Sequence, residues 1–446
     1  MAVGGSGARE RITGRRLVSV GLALTLSVAL AGVAAGALIE VTPAPEQAGA
    51  AAPPGTATSG GGAGDLAAFY RAPSPLSDAP AGTLVRRQAL PADPALPPGT
   101  RSWRILFHST AADGGDLLES GMVVVPGGSP PPGGFPVVSW AHGTTGVAPG
   151  CAPSRTGTGQ IPGLRSLVAH RMIVAAADYR GLGVAGYHPY LVGTSEAEDV
   201  LDAARAARSL AGSAASDAVV VAGFSQGGQA ALFAGEVAPT YAPDLFLAGV
   251  AAVAPVTSAL DLAPVGDQPP PSGQSAFTAS VLWSWSHRYR SVRLAALLTP
   301  AGLAGLDVVR SACIDQVASV YDTMPPALFF RPGWQRSAAV VAADRANLPG
   351  AAPTAAPVLV VQGTADEVIP FGRTTRFVAD RLCRAQFDAV DFEALAGWAT
   401  ALRQCVGHLR PHSKVPFSGF PMPRRLDAAR SQCSAGTSSA APCVYP

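Results

Sequence analysis

Val219-Val220-Val221-Ala222-Gly223-Phe224-Ser225-Gln226-Gly227-Gly228 opens as a short apolar strand and closes in Gly-x-Ser-x-Gly, with a helix-forming run from Gln229 to Gly235 behind it. A serine hydroxyl attacks poorly until a base takes its proton, and a sharp strand-to-helix turn can lift it out of a sheet toward such a base. Small residues two before and two after the serine keep that turn free of clashes. The turn also gathers the first N–H groups of the helix, where a developing oxyanion can be held. With 50 glycines in 446 residues, a bare Gly-x-Ser-x-Gly is expected roughly 0.4 times by chance. The β-branched strand in front of it gives the motif its force.

Working outward, similar apolar runs occur at Gly121 to Val125, Pro136 to Ala141, Met172 to Ala177, Gly249 to Ala254 and Val358 to Gln362. They are continuous rather than alternating, as expected of strands buried on both faces of a parallel sheet. Between them lie helical patterns. The clearest is expected to start at Ser195, with Glu198 completing a capping box and Val200, Leu201, Ala204, Ala207 and Leu210 on one apolar face. Strands interleaved with helices predict a doubly wound α/β fold. About a hundred residues between Ala254 and Val358 break the rhythm, and an inserted helical cap is expected at about 256–350. Its aromatics (Phe277, Trp283, Trp285, Tyr289, Phe329, Phe330 and Trp334) either form its own small core or present an apolar surface to a substrate.

Composition bounds the partners. Hydrophobic residues make up 48% of the chain and charged residues 14%, enough for a sizeable core. A net charge of +2, without a basic run beyond the N-terminus, gives no footprint for nucleic acid. Arg9, Arg11, Arg15 and Arg16 precede an apolar stretch from Leu17 to Ile39, and two small-x-small sites follow. Residues 1–40 therefore read as a signal peptide or a membrane anchor. Residues 41–64 are a Pro/Gly/Ala-rich linker, and 65–446 the folded part. All six cysteines (Cys151, Cys313, Cys383, Cys405, Cys433, Cys443) lie beyond the export signal, so three disulfides are expected in an oxidising compartment. No Cys/His cluster has zinc spacing, and a metal site is not expected. The protein is expected to be a monomer.

In this fold a catalytic triad runs Ser, then Asp or Glu, then His. After Ser225 the best acid is Asp366, which follows the strand Val358 to Gln362 and a Gly turn; Glu367 is the fallback, and a loop aspartate that merely caps the next helix is the plain alternative. An oxyanion hole needs two donors: the N–H of Gln226, directly after the nucleophile, and that of Thr144 in the loop Trp140-Ala141-His142-Gly143-Thr144-Thr145-Gly146. His142 precedes the serine and belongs to that loop, so it is not the expected base. His188 is expected to structure a loop beside the site, Asp178 to order the Arg180-Gly181 loop, and His108, His170 and His287 to serve packing or surface.

Several of these runs together resemble the secretory lipase family of fungi and actinobacteria. They are Val137 to Gly146, Gly150-Cys151-Ala152-Pro153-Ser154, Ala177-Asp178-Tyr179-Arg180-Gly181-Leu182-Gly183, His188-Pro189-Tyr190-Leu191, Gly223 to Gly228 and Gln362 to Asp366. In consistent order they cover about 120 to 395, which is far more specific than the serine motif alone. The resemblance implies an α/β-hydrolase core with a helical cap, carboxylic ester hydrolysis of acylglycerols or similar esters, and no cofactor; the partners expected are a lipid or other ester substrate and a membrane or lipid interface. It also implies a disulfide from Cys151 to a cap cysteine, of which Cys313 is the only one.

The chain departs from the family at the histidine. There, the base follows a strand and a short turn; here, the matching strand Val390 to Leu395 leads into Ala396-Gly397-Trp398-Ala399-Thr400, and the next histidines are His408 and His412. Either the loop is longer and His408 swings in as the base, or the reading frame slips near Trp398, where a shifted frame could encode Leu-Gly-His-Gly-Thr. Resequencing the gene across that codon separates the two: an unchanged frame removes the slip. Two rival readings stay open, a serine peptidase or amidase on the same fold, and a surface binding protein that kept the pocket and lost its base. A membrane-anchored structural protein rests only on residues 17–39.

Overall fold

Strand by strand, side chains alternate between two buried layers, which is why the central runs of the sequence are apolar throughout. In the computed structural model, residues 63–76, 78–111, 114–270, 273–383, 389–395 and 430–434 are described; all lie in the unit Gly60–Pro446. The chain order is α1 (Ala63–Phe69), β1 (Leu84–Ala89), β2 (Arg101–Thr110), β3 (Asp116–Val125), β4 (Phe135–Ala141), α2 (Leu164–Ala169), β5 (Ile173–Ala177), α3 (Gly193–Ser209), β6 (Ala215–Phe224), α4 (Gln226–Tyr241) and β7 (Phe246–Val253). It continues with α5 (Gln274–Arg288), α6 (Leu294–Leu297), α7 (Pro300–Ser311), α8 (Ile314–Tyr321), α9 (Ala338–Ala346), β8 (Val358–Gly363), α10 (Phe371–Phe377), β9 (Ala389–Leu395) and β10 (Arg430–Ser434).

The described strands form one sheet in the order β1-β2-β3-β5-β4-β6-β7-β8-β9-β10. The six from β5 to β9 run parallel, while β1, β2 and β3 join one edge antiparallel and β10 joins the other. This is an α/β-hydrolase fold. Val123, Val137, Ala175, Val219, Val221 and Ala252 face α3 and α4, whereas Val124, Val138, Val174, Ala222 and Ala251 face α2. Alanines line the inner faces of α3 and α4 (Ala197, Ala204, Ala207, Ala230, Ala231, Ala234), and their small side chains let both helices lie close to the sheet.

The six strands expected from sequence are all present, most of them longer than the apolar run, but the one at Gly121 to Val125 is part of β3, which pairs antiparallel with both its neighbours rather than joining the parallel set. The antiparallel pair β1 and β2 carries no long run: arginines and partly exposed positions break β1, and in β2 only Ile105-Leu106-Phe107 are consecutive apolar residues within a buried stretch that includes Arg104 and His108. The helix expected from Ser195 begins at Gly193 instead, and its N-cap position, Val192, offers no side-chain cap. Ser195 is buried, and Glu198 reaches out to Arg180. Burial of the first turn beneath the neighbouring loop replaces the capping box.

Between β7 and β8 the chain is helical and packs around a separate core built from α5 to α9. Trp285, Phe329, Phe330 and Trp334 are buried in that core, and only Phe277, Trp283 and Tyr289 keep partial exposure. The helices are tied to the sheet by the disulfide Cys151–Cys313, which spans 162 residues with its Cα atoms 5.4 Å apart. Beside it, the N–H of Ile314 donates to the carbonyl of Thr145 (2.9 Å). Cys383 is also disulfide-bonded.

Replacing Cys151 and Cys313 together by Ala releases a long loop in the unfolded chain. Stability is expected to drop by about 3–5 kcal/mol, read as a lower denaturant midpoint against the oxidised wild type.

Candidate active site

Ser225 sits between the last residue of β6 and the first of α4 with φ 56° and ψ −113°. A left-handed backbone at a non-glycine residue costs about 1–3 kcal/mol and persists only where neighbours enforce it. They do so here through close backbone approach. A Cβ on Gly223 would stand 2.0 Å from the carbonyl oxygen of Gly227, and one on Gly227 would stand 1.9 Å from that of Ala141. The Ser225 N–H donates to the Val253 carbonyl at 2.9 Å, and the Ser225 carbonyl accepts from Gln229 and Val256 at 3.1 Å each. The elbow is thus pinned on both sides by backbone.

Those glycines also bring the loop after β4 against the elbow. β4 pairs with β6 so that Ala141 lies beside Gly223, and a Cβ on Gly143 would meet the Phe224 ring at 2.8 Å. Thr144 and Gln226 are therefore carried on two segments in contact. The Thr144 hydroxyl is engaged by the Tyr190 hydroxyl at 2.7 Å. Gln226 is buried, and its N–H, like those of Gly227 and Gly228, belongs to the helix's first turn, where no intrahelical acceptor exists. His142 is buried with Nδ1 2.6 Å from the Gly143 carbonyl and Nε2 3.1 Å from that of Asp178. Burial lowers its pKa, and both ring nitrogens are directed at backbone carbonyls rather than at Ser225.

Asp366 lies just past β8, which stands two strands from β6 in the sheet, a lateral offset of roughly 10 Å. Its Oδ1 accepts from the N–H groups of Val368 and Ile369 at 2.9 Å each, and its Oδ2 from Gln362 Nε2 at 3.1 Å. Gln362 is itself locked by the Thr374 hydroxyl at 2.8 Å. Burial raises the Asp366 pKa against these bonds, so a cationic neighbour would stabilise its anion. Glu367 is exposed. β9 pairs with β8 to Gly363↔Leu395, and the Thr364 N–H donates to the Leu395 carbonyl at 3.0 Å. The chain after Leu395 therefore departs beside the Asp366 loop. His408 and His412 lie outside the described residues, as do residues 1–40 with their export or anchor segment. Among the described residues, no helix is long and apolar enough to cross a membrane.

Asp178 binds elsewhere than expected. Its carboxylate accepts from the Ser154 N–H (2.8 Å), the Ser154 hydroxyl and the Ser120 hydroxyl (2.5 Å), so it orders the segment around Cys151. Arg180 is held instead by Asp199, Glu198 and the carbonyls of Thr110 and Ser195. His188 is buried beside the elbow, 2.9 Å from Gln226 Nε2. Glu196, which sequence reasoning passed over as one more helical residue, is fully buried and accepts from Gln226 Nε2 at 2.7 Å. A glutamate set between Leu191-Val192 and Ala197 was the available signal.

The family described as Secretory lipase matches residues 162–396. Among solved structures, the closed state of Candida antarctica lipase A superposes with a TM-score of 0.63 at 18% identity, covering 80% of this chain and 88% of that one. A ligand-bound form of the rice cell wall degrading esterase LipA from Xanthomonas oryzae gives 0.61 at 18%, covering 74% and 97%. A putative hydrolase from Legionella pneumophila gives 0.59 at 19%, covering 72% and 94%. No curated protein matches the chain.

Two outcomes follow from this geometry. Gly227→Ala drives a Cβ into the Ala141 carbonyl and is expected to cost about 3 kcal/mol, with loss of activity in whatever remains folded; thermal unfolding and an activity assay check both. Glu119, on β3, is fully buried, and its pKa is raised well above 4.5, first by burial, then by Asp199 and Asp202, with Arg180 opposing. Folding thus takes up a proton from pH 4.5 upward, and stability falls as pH rises through that window. Glu119→Gln removes the proton, so its stability relative to wild type should rise from pH 5 to pH 8 in denaturant titrations.

Proposed function

Because the chain belongs to the secretory lipase family, whose members are ester hydrolases, we propose that it is an exported serine hydrolase of lipid esters, acylglycerols or close relatives. The observation that carries this reading is Ser225, held at φ 56° on the elbow with the Thr144 loop packed against it. The imidazole of His408 takes the Ser225 proton as Oγ attacks the ester carbonyl, and the carbonyl electron pair moves to oxygen. The N–H groups of Thr144 and Gln226 hold that oxyanion, and Asp366 orients the imidazole and stabilises its cation. The imidazolium then protonates the leaving alcohol. A water deprotonated by the same histidine attacks the acyl-enzyme, and Ser225 is regenerated as the acid departs. The helices of about 256–350 act as a cap, and Phe277, Trp283 and Tyr289 are the aromatics left with surface to meet an acyl chain.

One observation favours a second reading. Between Leu395, which ends beside the Asp366 loop, and His408 the sequence contains no histidine. A protein that kept the pocket and lost its base would bind esters without turning them over.

A fluorophosphonate probe and a panel of nitrophenyl esters and triacylglycerols decide between them. Wild type is expected to label and hydrolyse, Ser225→Ala to do neither, and His408→Ala to lose about 10³- to 10⁴-fold in kcat. Wild type that labels no better than Ser225→Ala establishes the non-catalytic reading; full activity in His408→Ala places the base elsewhere, with His412→Ala the next variant.

A further inference from the structure

The buried polar groups behind the elbow are not used by the mechanism above, yet they converge on both of its oxyanion donors. Gln226 opens α4, and its side chain turns inward. Its amide nitrogen lies 2.7 Å from Glu196 Oε1 and 2.9 Å from His188 Nε2. The direction of both bonds is set by their partners. His188 Nδ1 lies 3.1 Å from the Arg180 carbonyl, which can only accept, so the ring proton is on Nδ1 and Nε2 is an acceptor. Glu196 Oε1 accepts a further bond, from the Leu191 N–H at 2.9 Å. The Gln226 amide thus donates twice, and its rotamer is determined.

The segment that supplies His188 also supplies Tyr190, whose hydroxyl engages Thr144 Oγ1 at 2.7 Å. A three-residue stretch, His188 to Tyr190, therefore touches the side chains of both residues whose N–H groups face the oxyanion. Leu191 is held in a left-handed conformation, φ 54°, with its N–H on Glu196, which fastens this segment to α3. The Ser284 hydroxyl of α5 donates to the His188 carbonyl at 3.0 Å, so the helices between β7 and β8 bear on the same segment. His188, Tyr190 and Glu196 are all 0% exposed. Burial holds His188 neutral, its pKa lowered to about 3, and raises that of Glu196 well above the carboxylate range. His188 Nε2 is accordingly an acceptor throughout the neutral range.

We infer that His188, Tyr190 and Glu196 are positioning residues of the oxyanion hole, with Glu196 and His188 fixing the Gln226 N–H through its side chain and Tyr190 fixing Thr144. This rests on the ester-hydrolase reading and names what sets its transition-state contacts. The geometric reason is steep: a donor displaced by about 1 Å can cost 10²-fold in rate, because the hydrogen bond must already be in place when charge develops. Groups that act only on the tetrahedral oxyanion should change kcat and leave substrate binding alone.

The test uses Tyr190→Phe, which removes one oxygen, together with Glu196→Ala and Glu196→Gln, in the full-length protein with a soluble nitrophenyl ester. Tyr190→Phe and Glu196→Ala are expected to lower kcat about 10- to 100-fold with KM changed less than about threefold. Inhibition by an alkyl trifluoromethyl ketone, whose adduct with Ser225 carries an oxyanion, should weaken by the same factor. Glu196→Gln keeps an acceptor at Oε1 and should restore most of kcat. Variants with wild-type kcat, or with raised KM and unchanged kcat, overturn the inference while the hydrolase reading stands. If Glu196→Ala fails to fold, Tyr190→Phe alone decides. Wild type that neither hydrolyses esters nor takes a fluorophosphonate at Ser225 removes the hydrolase reading, and this inference with it.

Discussion

The close approach of three backbone segments at Gly223, Gly227 and Ala141 is the contact on which the rest of the site depends. Adding a single carbon at either glycine would bring it within 2.0 Å of a carbonyl oxygen, so no other residue lets β6 turn into α4 while touching the end of β4. That contact forces Ser225 into a left-handed backbone and sets its hydroxyl at the carboxyl edge of the sheet. It also carries the Thr144 loop to within reach of the first turn of α4. Ser225 and the Thr144 loop are thus placed by one steric solution rather than separately.

Strain at such a point needs support, and the support here is polar. Behind the elbow lies a buried set of groups running from Gln226 through Glu196 and His188 to Arg180 and Asp199. Buried polar groups destabilise unless each finds a partner, and most of these do. The exceptions, one oxygen each of Glu196 and Gln226 and both oxygens of Glu119, belong to groups packed directly behind the chemistry or beside Arg180. A network of this kind lends direction, which an apolar core of the same volume could not. The second core, under α5 to α9, meets it through Ser284 and through the disulfide beside the Thr144 loop. The helices between β7 and β8 therefore bear on the Thr144 loop and on the segment behind Gln226 at once.

Five of the six parallel strands, β4 to β8, could be read from sequence because burial on both faces gives each a continuous apolar run, whereas β9 carries Asp391 and Glu393 among its apolar residues. Ser225, Thr144, Gln226 and Asp366 stand out as candidates because each sits at a fixed offset from such an apolar strand. β1 has no distinctive period because it is a half-exposed edge strand with two arginines, and in β2 the apolar run Ile105-Leu106-Phe107 is short and flanked by the polar residues Arg104 and His108. The capping box at Ser195 misled because a buried first turn is stabilised by its neighbours instead of by its own side chains. Asp178 was matched to Arg180, two residues along the chain, when its partners are Ser154 and Ser120, brought to it across β3 and the loop beyond β4.

By itself the sequence determined the alternation of strand and helix, the position of the elbow and the residues able to act there, because these follow from local period and from the backbone freedom of glycine. Only the tertiary structure decided that Glu196 and His188 grip Gln226, that Tyr190 reaches Thr144, and that Asp366 rather than Glu367 turns inward. These are pairings between residues up to 46 positions apart, and hydrogen-bond partners at such separation are chosen by how the layers stack, for which no local pattern stands in.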